Sequence, residues 1–305
     1  MSKLNFEKTL IIGMGLIGSS IARAIDKYNI SSKIYILDNK ESVIKKCSDL
    51  KFLEDAKTDI KDFSTQFDLI VISSPLSSYR EIFLSLDNFV LKKTLITDVG
   101  STKVSVIKDY IEVCKNNLIN FIPSHPIAGL EKSGPEYGFA ELFENRYCII
   151  TPQKTDEESL SKIKEFWNLL GMKIEIMNAE HHDRVLAMTS HLPQLIAYSI
   201  IFTANELEDH IKDEVIKYSA GGLRDFSRLA GSDPIMWRDI YSKNKDSVIE
   251  MLGRFTEDLT TLQKAIRNND VKFLEKAFTS TRKVRKTIEE LGQAGSFDPR
   301  EKKKK

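Results

Sequence analysis

Three stretches of this sequence carry side chains suited to moving a proton and gripping an anion. The first is "FIPSHPIAGLEKSG", residues 121–134, where an apolar run stops at His125. Pro126 restricts His125 to extended backbone, and Gly129 is expected to allow a turn just beyond it. A neutral imidazole fixed there can take the proton of an alcohol as hydride leaves the same carbon. A structural loop histidine is the plainer alternative on position alone. The second stretch, "TSHLPQ", sets His191 in an apolar helix beside Pro193, whose missing N–H predicts a kink. A polar ring at a kink suits a substrate contact, and a hydrogen-bonded core histidine would look the same in sequence. The third, "AGGLRDFSRLAGSDPIMW", spaces Arg224 and Arg228 four apart, on one helix face. Two guanidiniums so placed fit an anion with more than one carboxylate; a solvated surface pair is the alternative.

An alcohol oxidation needs a hydride acceptor, and "GMGLIG" supplies a place for one. It follows the strand-like run "KTLIIG" and opens a helical pattern. Gly13 permits the tight turn, Gly15 lets backbone approach a pyrophosphate, and Gly18 permits close helix–strand packing, with Met14, Leu16 and Ile17 lining the same turn. The helix start offers free N–H groups to the phosphates. The next strand, "KIYILD", ends in Asp38, which can accept from both ribose hydroxyls and repel a 2′-phosphate, so NAD is expected over NADP. Ser73, Ser74 and Pro75 end "FDLIVISSP" and are placed to line the cofactor, mostly through backbone, or to form an ordinary loop. Ser101, in "DVGSTK", ends another strand; it can face the reacting hydroxyl or cap a helix beginning near Lys103.

The elements that must hold these groups alternate. Strand-like runs "KTLIIG", "KIYILD", "FDLIVISSP", "KTLITDVG", "LINFIPS", "RYCIITP" and "MKIEIM" are mostly separated by helical stretches, which predicts a mostly parallel sheet covered on both faces. Strand signals stop near Asn178. The expected architecture is an α/β N-terminal dinucleotide-binding (Rossmann-like) domain over residues 1–178 and an all-α domain over 179–292 for substrate binding and dimerisation. Residues 293–305 form a basic tail, expected to be frayed. Val248, Leu252, Phe255, Leu259, Leu262 and Ile266 step by four and three along one helix face. A second stripe, Leu274, Ala277, Val284, Ile288 and Leu291, follows Asp270, which reads as an N-cap. Apolar seams of that length favour a homodimer over an intrachain core alone.

With 45 basic and 44 acidic side chains the chain lacks the basic excess of a nucleic-acid binder. Its three cysteines, Cys47, Cys114 and Cys148, show no metal-ligand spacing, so no metal is expected and a reducing, cytoplasmic compartment fits. No signal peptide or membrane span is expected.

With "GMGLIG", "DVGSTK", "HPIAGLEKSG", "HDRVLAMTSHLP" and "AGGLRDFSRLAGSDPIMWRDI" in that order, the chain resembles the prephenate dehydrogenases over about residues 8–291. The resemblance implies oxidative decarboxylation of prephenate with NAD+ in tyrosine biosynthesis, giving 4-hydroxyphenylpyruvate and CO2. It implies that His125 helps remove the ring-hydroxyl proton and that Ser101 orients that hydroxyl and the nicotinamide. It further implies that His191 binds substrate and Arg228 grips a carboxylate, with Glu131, Gly221, Arg224 and Trp237 around the pocket. Relatives often carry a second histidine where this chain has Gln194. That leaves arogenate, which has an amino group in place of the side-chain keto group, as the rival substrate. A β-hydroxyacid dehydrogenase is a more distant rival, and it would call for a catalytic lysine near "SHLPQ".

Overall fold

The computed structural model describes residues 4–91, 93–114, 120–154 and 156–293. Two compact units divide the chain, Met1–Lys245 and Asp246–Lys305. The lysine tail and the first residues of "LINFIPS", Leu118 and Ile119, lie outside the described residues.

The first unit begins with β1 (Phe6–Ile12), α1 (Leu16–Tyr28), β2 (Ser31–Leu37), α2 (Glu41–Cys47), β3 (Leu53–Lys57) and β4 (Leu69–Ile72). It continues with α3 (Tyr79–Asp87), β5 (Leu95–Asp98), α4 (Val104–Val113) and β6 (Asn120–Ile122). These six strands are all parallel and lie in the order β3-β2-β1-β4-β5-β6. β4 and β5 are buried along their whole length because both sheet faces are covered. Leu10, Ile12, Ile70, Ile72 and Ile96 pack on one side with Tyr79 and Phe83. Ile11, Leu69, Val71 and Leu95 pack on the other with Ile21 and Ile25. The order turns back between β1 and β4, and there the carboxyl ends of the strands open a crevice. β3, "LEDAK", is a strand the apolar-run pattern does not announce; it sits at the sheet edge, where one row of pairing and part of the surface face water.

"RYCIITP" and "MKIEIM" do not join that sheet. With β7 (Ser124–Pro126), β8 (Tyr147–Ile150) and β9 (Lys173–Ile176) make a separate three-stranded sheet, β7 antiparallel and β9 parallel to β8. The helix α5 (Glu157–Leu169) links β8 to β9. The physical break is Pro123: it has no N–H to extend the β6 ladder, while its carbonyl accepts from Thr151 N–H at 2.9 Å. His125 is therefore a strand residue of the second sheet rather than a loop residue after the first. The turn expected at Gly129 is made earlier, where Ala128 N–H bonds back to Pro126 C=O at 2.8 Å.

The rest of the first unit is helical: α6 (Ala179–Leu186), a π-turn at Ala187–His191, α7 (Leu192–Asn205), α8 (Asp209–Lys217), α9 (Gly221–Ala230) and α10 (Pro234–Lys243). The kink expected at Pro193 takes the form of that π-turn, since the ring displaces the regular i→i−4 ladder just ahead of it. Ala179–Asn205 is long and apolar enough by length and composition to cross a membrane, at mean hydropathy 1.4, contrary to the expectation of no such run. His182, Asp183 and His191, all buried, lie within it and hydrogen-bond to residues of this unit, which explains its character without a bilayer.

The second unit holds most of α11 (Lys245–Arg267) and α12 (Val271–Glu290). Asp270 caps α12 as expected, accepting from Phe273 N–H at 3.0 Å. The apolar stripes are only partly covered. Val248 is buried, Leu252, Phe255, Leu262, Leu274 and Ala277 are half-buried, and Leu259, Ile266, Val284, Ile288 and Leu291 are exposed.

Candidate active site

The crevice between β1 and β4 has the form of a phosphate cradle. Gly13 stands at φ +94°, where a side chain is strained, and a Cβ on Gly18 would lie 2.0 Å from the Gly13 carbonyl oxygen. Gly15, at the N-cap of α1, faces open space and makes no side-chain cap, so the first N–H groups of α1 are left for a ligand. Asp38 follows β2 and is held against this turn: Oδ2 accepts from Met14 N–H at 2.9 Å and Oδ1 from Lys40 N–H at 3.0 Å. Ser73 and Ser74 turn their hydroxyls inward. Ser73 Oγ donates to the Gly13 carbonyl at 2.7 Å and Ser74 Oγ to that of Ile12 at 3.1 Å, tying the glycine turn to the end of β4. The residues present fit a dinucleotide.

His125 lies on β7, 8% exposed, with Nδ1 2.8 Å from His182 Nε2. His182 is fully buried, and its Nδ1 lies 2.7 Å from Asp183 Oδ1. The Asp183 carboxylate also accepts from the N–H groups of Lys103 at 2.7 Å and Val104 at 3.0 Å. It is therefore the cap of α4, a role the sequence offers to Ser101. Ser101 caps nothing, and its half-buried hydroxyl has no partner among the described residues. Burial, reinforced by His182, Lys103 and His191, holds the His125 pKa well below the usual imidazole value, so the ring is neutral.

Beneath β7 a buried ion pair fixes the backbone. Lys103 Nζ donates to Asp98 Oδ2 at 2.6 Å and to the Ser124 carbonyl at 2.7 Å, with both side chains fully buried. Asp98 also accepts from Ser124 N–H and Gly100 N–H, at 2.9 Å each, and from Tyr79 OH at 3.1 Å. Burial lowers the Lys103 pKa, and Asp98 opposes that by stabilising the ammonium.

His191 is 1% exposed in the π-turn. Asn244 Nδ2 lies 3.1 Å from its Nδ1 and donates to the Asp183 carbonyl at 2.7 Å. The donor on Nδ1 leaves the proton on Nε2, and that atom is buried with no hydrogen-bond partner among the described residues. Burial lowers the His191 pKa to about 4. The ring meets Trp237 edge-on at 6.2 Å, and Trp237 Nε1 is likewise buried and without a hydrogen-bond partner among the described residues. An N–H left unpaired in the interior is costly unless a ligand receives it.

Arg228 pairs with Glu131, which follows His125 on the segment after β7. Arg224, one turn earlier on α9, is exposed and pairs with no carboxylate among the described residues. Gly221 starts α9 in open space. Gln194 is 3% exposed and donates through Nε2 to the Leu229 carbonyl at 2.8 Å, joining α7 to α9. The geometry thus links His125 to His191 through His182, Asp183 and Asn244, sets Trp237 against His191 and ties Arg228 to Glu131, while no hydrogen bond or ion pair among the described residues joins Arg224 or Gly221 to them. His182, Asp183, Lys103, Asp98 and Asn244 are absent from the site as read in sequence. Their signals there are the "HD" pair opening "HDRVLAMTSHLP", a charged dipeptide at the head of an apolar helix, and the two ends of "DVGSTK", Asp98 and Lys103.

Residues 21–176 match the family model "Prephenate dehydrogenase, nucleotide-binding domain", and residues 178–280 match "Prephenate dehydrogenase, dimerization domain". A cyclohexadienyl dehydrogenase of Zymomonas mobilis is 37% identical, covering 92% of this chain and 95% of its own. A prephenate dehydrogenase of Lactococcus lactis is 32% identical over 93% of this chain and 78% of its own. Among solved structures, prephenate dehydrogenase from A. aeolicus in complex with hydroxyphenyl propionate and NAD+ superposes with a TM-score of 0.86 at 33% identity, covering 92% of this chain and 98% of that one.

Proposed function

Since the chain belongs to the prephenate dehydrogenase family, we propose that its cleft oxidatively decarboxylates prephenate with NAD+, giving 4-hydroxyphenylpyruvate and CO2 for tyrosine biosynthesis. One observation carries the reading: a neutral imidazole, His125, is fixed on one edge by His182 and keeps its other edge for a substrate hydroxyl. Gly13, Met14, Gly15, Leu16, Ile17 and Gly18 hold the pyrophosphate on the open end of α1, Asp38 takes the adenosine ribose, and Ser73, Ser74 and Pro75 border the crevice. When bound, NAD+ accepts the hydride of the hydroxyl-bearing ring carbon. His125 receives the hydroxyl proton, and Ser101, whose hydroxyl is uncommitted, orients that oxygen. His191 Nε2–H donates to substrate. Arg228 exchanges Glu131 for a substrate carboxylate, while Arg224, Gly221 and Trp237 border the pocket. Loss of CO2 makes the ring aromatic, which drives the reaction forward.

The Zymomonas mobilis relative is named for cyclohexadienyl substrates, which makes arogenate the second reading. NADH release on prephenate and arogenate, assayed side by side with NAD+, decides between them. Arg228→Ala is expected to raise KM for the substrate by about 10- to 100-fold, the worth of a charge-assisted hydrogen bond, with NAD+ affinity kept. An unchanged KM removes Arg228 from the grip. Asp38→Ala is expected to shift the kcat/KM ratio towards NADP+ by about tenfold or more, since a carboxylate no longer faces the 2′-phosphate. An unchanged ratio places cofactor choice elsewhere.

The exposed stripe Leu259, Ile266, Val284, Ile288 and Leu291 and the match to a dimerization domain support a homodimer through the C-terminal helices. A division at residues 178/179, with the cofactor on the α/β part and dimerisation on the helical part, is supported by the matches over 21–176 and 178–280. Three buried, unpaired cysteines fit a cytoplasmic enzyme.

A further inference from the structure

The three-member chain His125–His182–Asp183 sets its own protonation pattern. Asp183 Oδ1 can only accept, so the proton of neutral His182 sits on Nδ1, the atom 2.7 Å away. His182 Nε2 is then an acceptor, and the 2.8 Å contact requires His125 to carry its proton on Nδ1. That leaves His125 Nε2 as a bare lone pair on the ring's outer edge. All three groups are at most 8% exposed, so solvent does not exchange freely with the chain.

The chemistry of the proposed reaction asks for such a chain. The substrate hydroxyl loses its proton when the ring carbon gives up hydride to NAD+. Then the bond from ring to carboxylate breaks, CO2 leaves, and its electron pair enters the ring. The oxygen becomes a phenol and regains a proton, so the overall reaction neither releases nor consumes one. Resting on the functional reading above, we infer that His182, backed by Asp183, stores the proton that His125 removes and returns it to the same oxygen. The O–H bond breaks towards His125 Nε2 while the Nδ1 proton passes to His182 Nε2. The positive charge then sits on the ring touching Asp183, one ring further from the substrate. Decarboxylation reverses both transfers. The charged and titratable groups facing this pair are Asp183 on α6, Lys103 before α4, Asp98 on β5, Cys148 on β8 and His191 in the π-turn. Burial disfavours charge on His182, and the Asp183 hydrogen bond favours it, as a temporary store requires. Asp183 is itself anchored by the N-terminus of α4, so the counter-charge does not move during the cycle.

The test has two arms. In the free enzyme, nitrogen NMR of labelled histidine is expected to show His125 and His182 both protonated on Nδ1 at neutral pH. A proton on His125 Nε2 overturns the inference whatever the substrate. In turnover, kcat measured in mixtures of H2O and D2O is expected to curve, as two protons move in the rate-limiting complex. His182→Gln retains an acceptor for His125 Nδ1–H and cannot hold a proton. It is expected to straighten that plot, lower kcat about 10-fold or more with KM within twofold, and move the acid limb of kcat/KM to lower pH. A straight plot for the wild-type enzyme, or a His182→Gln variant with unchanged kcat and acid limb, reduces His182 to a positioning residue and sinks the store. Tautomers as assigned in a chain that releases no NADH from prephenate would count against the functional reading instead.

Discussion

His125→Asn is expected to lower kcat by about 10²-fold or more while NAD+ affinity stays within about twofold. The asparagine amide can stand where Nδ1 stands and still donate to His182, so the strand and its neighbours need not rearrange. What it lacks is a basic nitrogen on the outer edge. The hydroxyl would then have to lose its proton to water in a crevice built of buried side chains. Proton transfer by a placed side chain contributes typically about 10²- to 10⁴-fold, which sets the floor of the expected loss. Steady-state kinetics with prephenate and fluorescence titration of NADH separate the two effects. A variant with near-normal kcat would falsify the assignment of His125 as base.

Lys103→Met is expected to lower the free energy of unfolding by about 3–5 kcal/mol, the usual loss when one partner of a buried ion pair is removed. Asp98 would remain fully buried, keeping Ser124 N–H, Gly100 N–H and Tyr79 OH but losing the Lys103 ammonium. The Ser124 carbonyl would lose its Nζ donor as well, next to His125 on β7. Urea titration followed by circular dichroism measures the loss. The double change Asp98→Asn with Lys103→Met is expected to recover much of it, because the stranded charge and not the missing attraction is the main penalty. If the single change is as stable as the parent, the pair is not what fixes β7. Activity should fall further than stability alone explains in the single variant, since His125 rides on the segment that Lys103 holds.

Much of the fold was legible in the residues. Runs such as "FDLIVISSP" and "KTLITDVG" are apolar on both faces, and only a sheet covered twice buries them. "GMGLIG" and Asp38 announce their partners because the turn, the close approach and the ribose contact each demand one residue type at one spacing. β3 was hidden because an edge strand tolerates charge, and Pro123 ends the main sheet in a way that apolar runs do not record.

The sequence by itself determined the glycine turn, the helical second half and the candidacy of His125, His191 and Arg228, since each depends on local spacing and residue type. Only the tertiary structure decided that Asp183, not Ser101, caps α4, that His182 stands behind His125, and that Lys103 lies fully buried on Asp98. Two of those contacts join residues far apart along the chain, 80 positions for Lys103 with Asp183 and 57 for His125 with His182, while Lys103 and Asp98 are near neighbours whose burial is set by what packs around them. No local periodicity encodes them. They exist because burying a polar group obliges it to find a partner, and which partner is within reach is settled by packing alone.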